Sequence, residues 1–315
     1  MPLLASGLGS PAGPPPVTAP KAVPLRVAYV DPDGETWAWS ARQGILVTSV
    51  TGLGSPAAGL TSLALPTGDL LAQSVTPGGK QIVIGLYVWD DDQSALLDRI
   101  DAIARSLWHE RAGLPAAGTI VIERPGGTSR QIDVMCTSGT EQTEDTDTQD
   151  AYQRWTTYGL TFQPMSPYWQ DDTDTTQVFR AAPSDAGILP LLPVKLSPSV
   201  VLGETSITNN GDADAWPVWT ITGPGTPTIT NTTTDRSFGL DAALSAGEVV
   251  TVDTRPGSVS AVDDDGDDRW SDLVKSSPRD LWQLVPGVNE LNLQMTGSGD
   301  GTSIQLAYRR RWLRA

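Results

Sequence analysis

The stretch ITNNGDADAWPVWTI, Ile207 to Ile221, decides the fold, read together with GEVVTVDT (Gly247 to Thr254), VPGVNELNL (Val285 to Leu293) and YRRRWL (Tyr308 to Leu313). In each run apolar and polar residues alternate with period two, so each reads as a strand with one buried face. Asn210-Gly211 and Pro286-Gly287 are turn dipeptides between such runs. Short strands at this spacing, separated by Gly, Pro, Asn and Asp, predict an antiparallel β-sandwich.

Working back toward the N-terminus, the polar segment 171–176 marks a junction, dividing the chain into units 1–170 and 171–315. Before it, Tyr152 to Phe162 alternates as a strand. Gly118 to Arg124 and Arg130 to Thr137 read as a hairpin through Pro125-Gly126-Gly127. KQIVIGLYVW, Lys80 to Trp89, is a nearly continuous apolar strand, which predicts burial on both faces. Asp90-Asp91-Asp92 then opens the one clear amphipathic helix. Leu96, Leu97, Ile100, Ile103, Ala104, Leu107 and Trp108 are expected on its buried face. The aspartates suit its N-terminus, His109 and Arg111 its C-terminus, and Gly113 a C-cap. Leu25 to Tyr29 and Thr36 to Ser40 read as a hairpin across Asp31-Pro32-Asp33-Gly34. Residues 1–24 are rich in Gly, Pro and Ala and read as an extended arm. GLGSPA at 7–12 recurs at 52–57, too short an echo for a structural repeat.

Composition agrees with a turn-rich β protein. The 315 residues include 31 glycines and 25 prolines, well above the roughly 12% combined share that is usual. Eleven tryptophans can fill two cores despite only three phenylalanines. The net charge of −16 argues against stable binding of nucleic-acid phosphates or anionic membranes. No window approaches the ~20 apolar residues of a membrane span, and the first twenty residues lack the basic start and apolar run of a signal peptide. Cys136 is the single cysteine, so the chain has no internal disulfide; it reads as a buried structural thiol on a strand.

Chemistry finds little to work with. The one histidine, His109, would have to serve any Ser-His-Asp or Cys-His arrangement, and it sits at an expected helix end. One His and one Cys cannot build a usual zinc site. Gly78-Gly79-Lys80 is a turn into a strand and not a phosphate cradle. The run Asp263 to Asp268 offers oxygen ligands around Gly266, but it lacks the register of a calcium loop and reads as a solvated acidic turn. Trp216 and Trp219, with Trp270 and Trp282 nearby, could form a sugar-stacking platform. A spacing of three puts the first two on opposite sides of a strand, which favours core and rim. No catalytic, cofactor-binding or metal-binding residue is assigned. Arg309, Arg310, Arg311 and Arg314 stand out in so acidic a chain, and their partners are open between this domain and a neighbouring subunit.

The motifs of the last third occur in a particular order: an Asn-x-Gly-Asp-Ala turn at 209–213, an apolar-Pro-apolar strand, Gly223-Pro224, the Gly247–Thr254 strand, the Pro286-Gly287-x-Asn289 turn and the final aromatic–arginine strand. In this order they resemble the C-terminal domain of siphophage distal tail proteins. FQPMSPYW, Phe162 to Trp169, resembles the segment that closes the N-terminal domain of that family, with Ser166 where an acidic residue is common. The resemblance implies two β-sandwich domains, the first with a single amphipathic helix and a β-hairpin, the second galectin- or carbohydrate-module-like. It further implies a structural protein of the virion, made in the bacterial cytoplasm. That protein would be a homo-hexameric ring at the tail tip, joining the tail tube protein to tip or baseplate hub proteins. DNA would pass through without specific binding, with no enzyme activity, no cofactor and no membrane insertion. Such a passage calls for an acidic or neutral inner wall, with the Glu141 to Asp150 loop a candidate lining and the arginine cluster placed elsewhere. The alternative is a carbohydrate-binding module that attaches to host glycans through residues 171–315.

Overall fold

The computed structural model describes residues 25–108, 110–140, 154–181 and 200–315. The described residues are mainly β, with one α-helix and short 3₁₀ turns among them. In the first half the strands are β1 (Arg26–Val30), β2 (Thr36–Trp37), β3 (Ile45–Thr51), β4 (Ala58–Ala64), β5 (Leu70–Pro77) and β6 (Ile82–Trp89). Helix α1 (Gln93–Leu107) follows, then β7 (Glu110–Arg111), β8 (Leu114–Pro115), β9 (Gly118–Glu123), β10 (Ser129–Ser138), β11 (Trp155–Pro164) and β12 (Trp169–Asp171). One sheet runs in the order β2-β1-β9-β10-β11-β6-β3, with β12 also paired to β10.

That sheet curls. Tyr29 on β1 and Phe162 on β11 have ring centroids 5.8 Å apart, although two strands lie between them in the ladder. In a flat sheet, strands three places apart would be separated by roughly 14 Å. The curl brings Ile82, Ile84, Leu86 and Val88 of β6, Ile120 and Ile122 of β9 and Leu160 of β11 into one fully buried cluster. Helix α1 closes that cluster with Leu96, Ile103 and Leu107. Tyr29 packs so tightly over the start of β9 that a Cβ at Gly118 would lie 2.2 Å from its hydroxyl.

Several expectations change here. β6 is fully buried on one face only; Val83, Gly85, Tyr87 and Trp89 on the other are half-buried. Leu97, Ala104 and Trp108 lie off the packed face of α1 and are exposed. Asp92 is the N-cap, accepting from the Ala95 amide at 3.0 Å. The helix ends in an extended Trp108, and Gly113, at φ +79°, instead turns the small β7–β8 hairpin. Arg111 does serve the helix end, donating to the carbonyls of Trp108 and Arg105; His109 lies outside the described residues. β2 stops at Trp37 because Trp39 has φ +40°, which turns its indole into the core to stack on Tyr29 at 5.6 Å. Cys136 is half-buried on β10, where the sequence suggested full burial.

The second half carries β13 (Thr175–Arg180), β14 (Val200–Val201), β15 (Glu204–Asn209), β16 (Val218–Thr222), β17 (Thr226–Asn231) and β18 (Arg236–Leu240). After these come β19 (Val249–Asp253), β20 (Ser260–Asp263), β21 (Leu273–Val274), β22 (Gly287–Thr296), β23 (Ser303–Tyr308) and β24 (Arg311–Trp312). They form two sheets, β14-β13-β23-β16-β19-β20 and β15-β22-β17-β18-β21. The inward faces of both sheets share one buried cluster, the anatomy of a sandwich. Its centre is aromatic: Trp219 meets Trp282 edge-on at 5.2 Å and Phe238 at 6.0 Å. Such pairs add to the area they bury.

Candidate assembly surfaces

Two regions are set apart from these cores. The first is the β4–β5 arm. Its strands pair from Ala58↔Pro77 to Ala64↔Leu70 and, among the described residues, belong to no larger sheet. The turn Leu65-Pro66-Thr67-Gly68-Asp69 closes it: the Leu65 amide donates to the Asp69 carbonyl at 2.8 Å, and Gly68 takes φ +88°, which glycine adopts without strain. Every residue of both strands is exposed. Leu60, Leu63, Leu70, Leu71 and Val75 are each at least half exposed. Leu60 opposes Val75, and Leu63 opposes Leu71. Since Leu60 and Leu63 are three apart on one strand, both faces of the arm are apolar. An isolated hairpin of this kind is marginal in water, and exposed apolar patches mark interaction sites. The sequence pattern predicted no strand between 41 and 79, only a loop at 52–57 and a turn at 78–79. The usable signal was the Pro66-Thr67-Gly68-Asp69 turn between two leucine-bearing runs of similar length.

The second region is where the chain end returns to the first core. β24 pairs β12, with Trp169↔Trp312 and Gln170↔Arg311 in register. Asp171 is nearly buried; its carboxylate accepts from Arg310 Nε at 2.6 Å and from Trp312 Nε1 at 2.7 Å. Arg309 Nε donates to Asp174 at 2.7 Å. Arg311 donates to the Asp214 carbonyl and to Ser166 Oγ, and its guanidinium lies 4.4 Å over the Tyr168 ring. Burial pulls Arg311 below the ordinary arginine value, yet a guanidinium keeps its charge at neutral pH. Arg130 stacks on Trp312 at 4.0 Å and donates to the Arg314 carbonyl. The Ala315 amide donates to the Leu53 carbonyl at 3.0 Å. Of the arginines that the sequence left open, Arg310 and Arg311 thus tie the chain end to the first sheet, while Arg309 pairs with Asp174 within the second half.

Between the halves, beside this latch, lies a cleft of about 830 Å³ whose walls include Pro77, Tyr168, Trp216, Arg255, Ser258 and Arg309. Trp216 is half-buried at its edge, whereas Trp219 and Trp282 are fully buried. The four tryptophans therefore do not make one platform. Trp270 is exposed elsewhere, with the Lys275 ammonium 4.1 Å over its ring.

In the acidic run Asp263 to Asp268, Asp263 accepts the Asp267 amide at 2.8 Å. Arg269 then gathers Glu248, Asp272 and, at 3.6 Å, Asp263. A hydrogen bond from the Ser245 amide, then one from Arg269, hold the Glu248 carboxyl below its usual range. These carboxylates are used in folding the turn. Among the described residues no group of three or more His, Cys, Asp or Glu is placed to hold a metal ion, and no helix is long and apolar enough to cross a membrane. The Glu141 to Asp150 loop lies outside the described residues.

Comparison with known proteins agrees with this geometry. Residues 210–312 match the family described as siphovirus-type tail component, C-terminal domain. No curated protein matches the sequence. Among solved structures, the chain is similar to the Dit protein of phage SPP1, described as a paradigm of the hub adsorption apparatus in phages infecting Gram-positive bacteria. The TM-score is 0.62 at 13% identity, over 92% of this chain and 99% of that one. A chain of the phage P2 baseplate in its activated conformation with calcium is similar at TM-score 0.54 and 7% identity, over 91% of this chain and 98% of that one. Residues 210–312 are therefore similar to the siphovirus-type tail component C-terminal domain, and nearly the whole chain shares the fold of the SPP1 Dit protein.

Proposed function

We propose that the protein is a distal tail hub of a long-tailed phage: a homo-hexameric ring in the virion that joins the tail tube to tip or baseplate proteins and lets DNA through. The observation that carries this reading, beyond the shared fold, is the β4–β5 arm. Its six large apolar side chains, Leu60, Leu63, Leu65, Leu70, Leu71 and Val75, remain exposed. Covering them would contribute on the order of 1 kcal/mol each from their half-exposed state. A chain that carries such an arm outside its own cores is built to be completed by another chain. In this reading residues 1–170 form the ring and residues 171–315 the outer sandwich. The work is assembly, with no bond made or broken. The net charge of −16 suits a passage that must not hold DNA, because each cationic contact to phosphate adds affinity through counterion release. Arg309 and Arg310 are each offset by a carboxylate, Asp174 and Asp171, which lowers their attraction for phosphate.

Immunogold labelling of intact phage with antibody to this protein tests the placement. Label at the distal end of the tail, opposite the head, is the expected result. Label on the head or along the tail shaft would overturn it.

A further inference from the structure

The arm and the cleft are complementary in shape and in charge. The arm carries apolar side chains on both faces, so contact with a flat surface would leave one face wet. Insertion between two walls covers both. Its strands reach roughly 25 Å at 3.3 Å per residue, enough for the tip to enter a neighbouring molecule while the base stays anchored at β3 and β6. Between Ala58 and Pro77 the sole charged residue is Asp69. It sits at the tip, where its carboxylate accepts from Thr67 Oγ1 at 2.9 Å.

The cleft has the matching features. Its volume of about 830 Å³ lies within the roughly 300–1,000 Å³ of functional clefts. Trp216, Tyr168 and Pro77 supply apolar wall. Arg255 and Arg309 stand in it with side chains 59% and 36% exposed. Each is paired to one carboxylate, Asp253 or Asp174, and the exposed part of each guanidinium is open to a second acceptor. Arg255, Arg309 and Arg311 stand in the cleft wall with Asp133 and Asp174, so its cations are not outnumbered by its carboxylates.

Resting on the reading of the protein as a self-assembling hub, we infer that the tip of the β4–β5 arm of one copy inserts into the cleft between the two cores of the next, with Asp69 meeting Arg255 and Arg309. Pro77, at the base of each molecule's own arm, lines the cleft that receives its neighbour's. The contact is therefore heterologous, head-to-tail, and gives a ring where its rotation closes.

Disulfide trapping of the full chain tests this. In a Cys136→Ser background that keeps Asp69, Pro66→Cys in the exposed arm tip is combined with Ser258→Cys in the cleft wall, or with Asp300→Cys in the turn before β23 as control. After mild oxidation at high protein concentration, the first pair is expected to give intermolecular disulfides in a ladder of multimers, at least tenfold more product than the control. No product above control overturns the inference. If an amine-reactive cross-linker still captures multimers of the same protein, arm-in-cleft insertion fails while self-assembly stands; if neither method captures multimers, both fail. A circular dichroism spectrum and thermal transition matching the parent show that each variant is folded before it is scored.

Discussion

The hairpin β9–β10 and the arm β4–β5 are similar in size, yet they have opposite fates. Along β9 burial alternates strictly, with Gly118, Ile120 and Ile122 inward, and β1 and β11 flank the pair. Along β4 and β5 no residue is buried. The first hairpin is finished by its own chain. The second has a ladder but no layer to lie on, and a hairpin without a layer is at the edge of stability in water. On the proposed reading, the difference separates what holds the subunit together from what it would offer to another. The variants below press on that separation.

The largest loss of subunit stability is expected at the centre of a finished layer. Trp219→Ala removes a fully buried indole from the C-terminal core and should cost about 3–5 kcal/mol, read by urea unfolding. A loss below 1 kcal/mol would mean that the aromatic cluster does not hold the sandwich together. Next comes the latch. Asp171→Ala takes the acceptor from Arg310 and Trp312 and should cost about 1–3 kcal/mol. Faster amide exchange confined to 311–315 is the accompanying sign, and unchanged exchange there would show that β24 is held by packing alone.

Lys80 sharpens the comparison by pH. It lies just beyond the base of the arm, its Nζ buried without a hydrogen-bond partner and 5.0 Å over the Trp169 ring. Burial pulls its pKa down to about 8. Between pH 8 and the ordinary lysine value near 10.4, the unfolded chain binds more protons than the folded one. Stability should therefore rise with pH across that window from this group. Lys80→Met should flatten that part of the profile; an unchanged slope would assign it to other groups. Asp92→Ala, at the N-cap of α1, should cost about 1 kcal/mol in thermal or urea unfolding. The smallest effect on stability belongs to the unfinished hairpin. Replacing residues 59–76 by a short Gly-Ser loop should change unfolding by under ~0.5 kcal/mol while abolishing self-assembly. A large drop in stability would mean that the arm belongs to the subunit core.

This contrast also explains what could be read without coordinates. The C-terminal strands were legible because one face of each is buried, which leaves a period of two in runs such as Val249–Asp253 and Ser303–Tyr308. The arm was not, because a hairpin exposed on both faces has no such period: leucines and small polar residues follow one another without rule. The pairing of β24 with β12 joins residues about 140 apart, which no local pattern reports. The arginine partners at Asp171 and Asp174 were hidden for the same reason. The end of α1 was misplaced because Gly113 fits two local roles, and only the chain path selects the β7–β8 turn.

If this subunit is one part of a ring on the tail axis, a cryo-electron microscopy reconstruction of the tail tip will show six copies around the central channel, residues 1–170 innermost, 171–315 outside, and the β4–β5 arm of each copy covered by a neighbouring chain. A map that places this chain off the axis, in another symmetry, or with the arm free in solvent would contradict it.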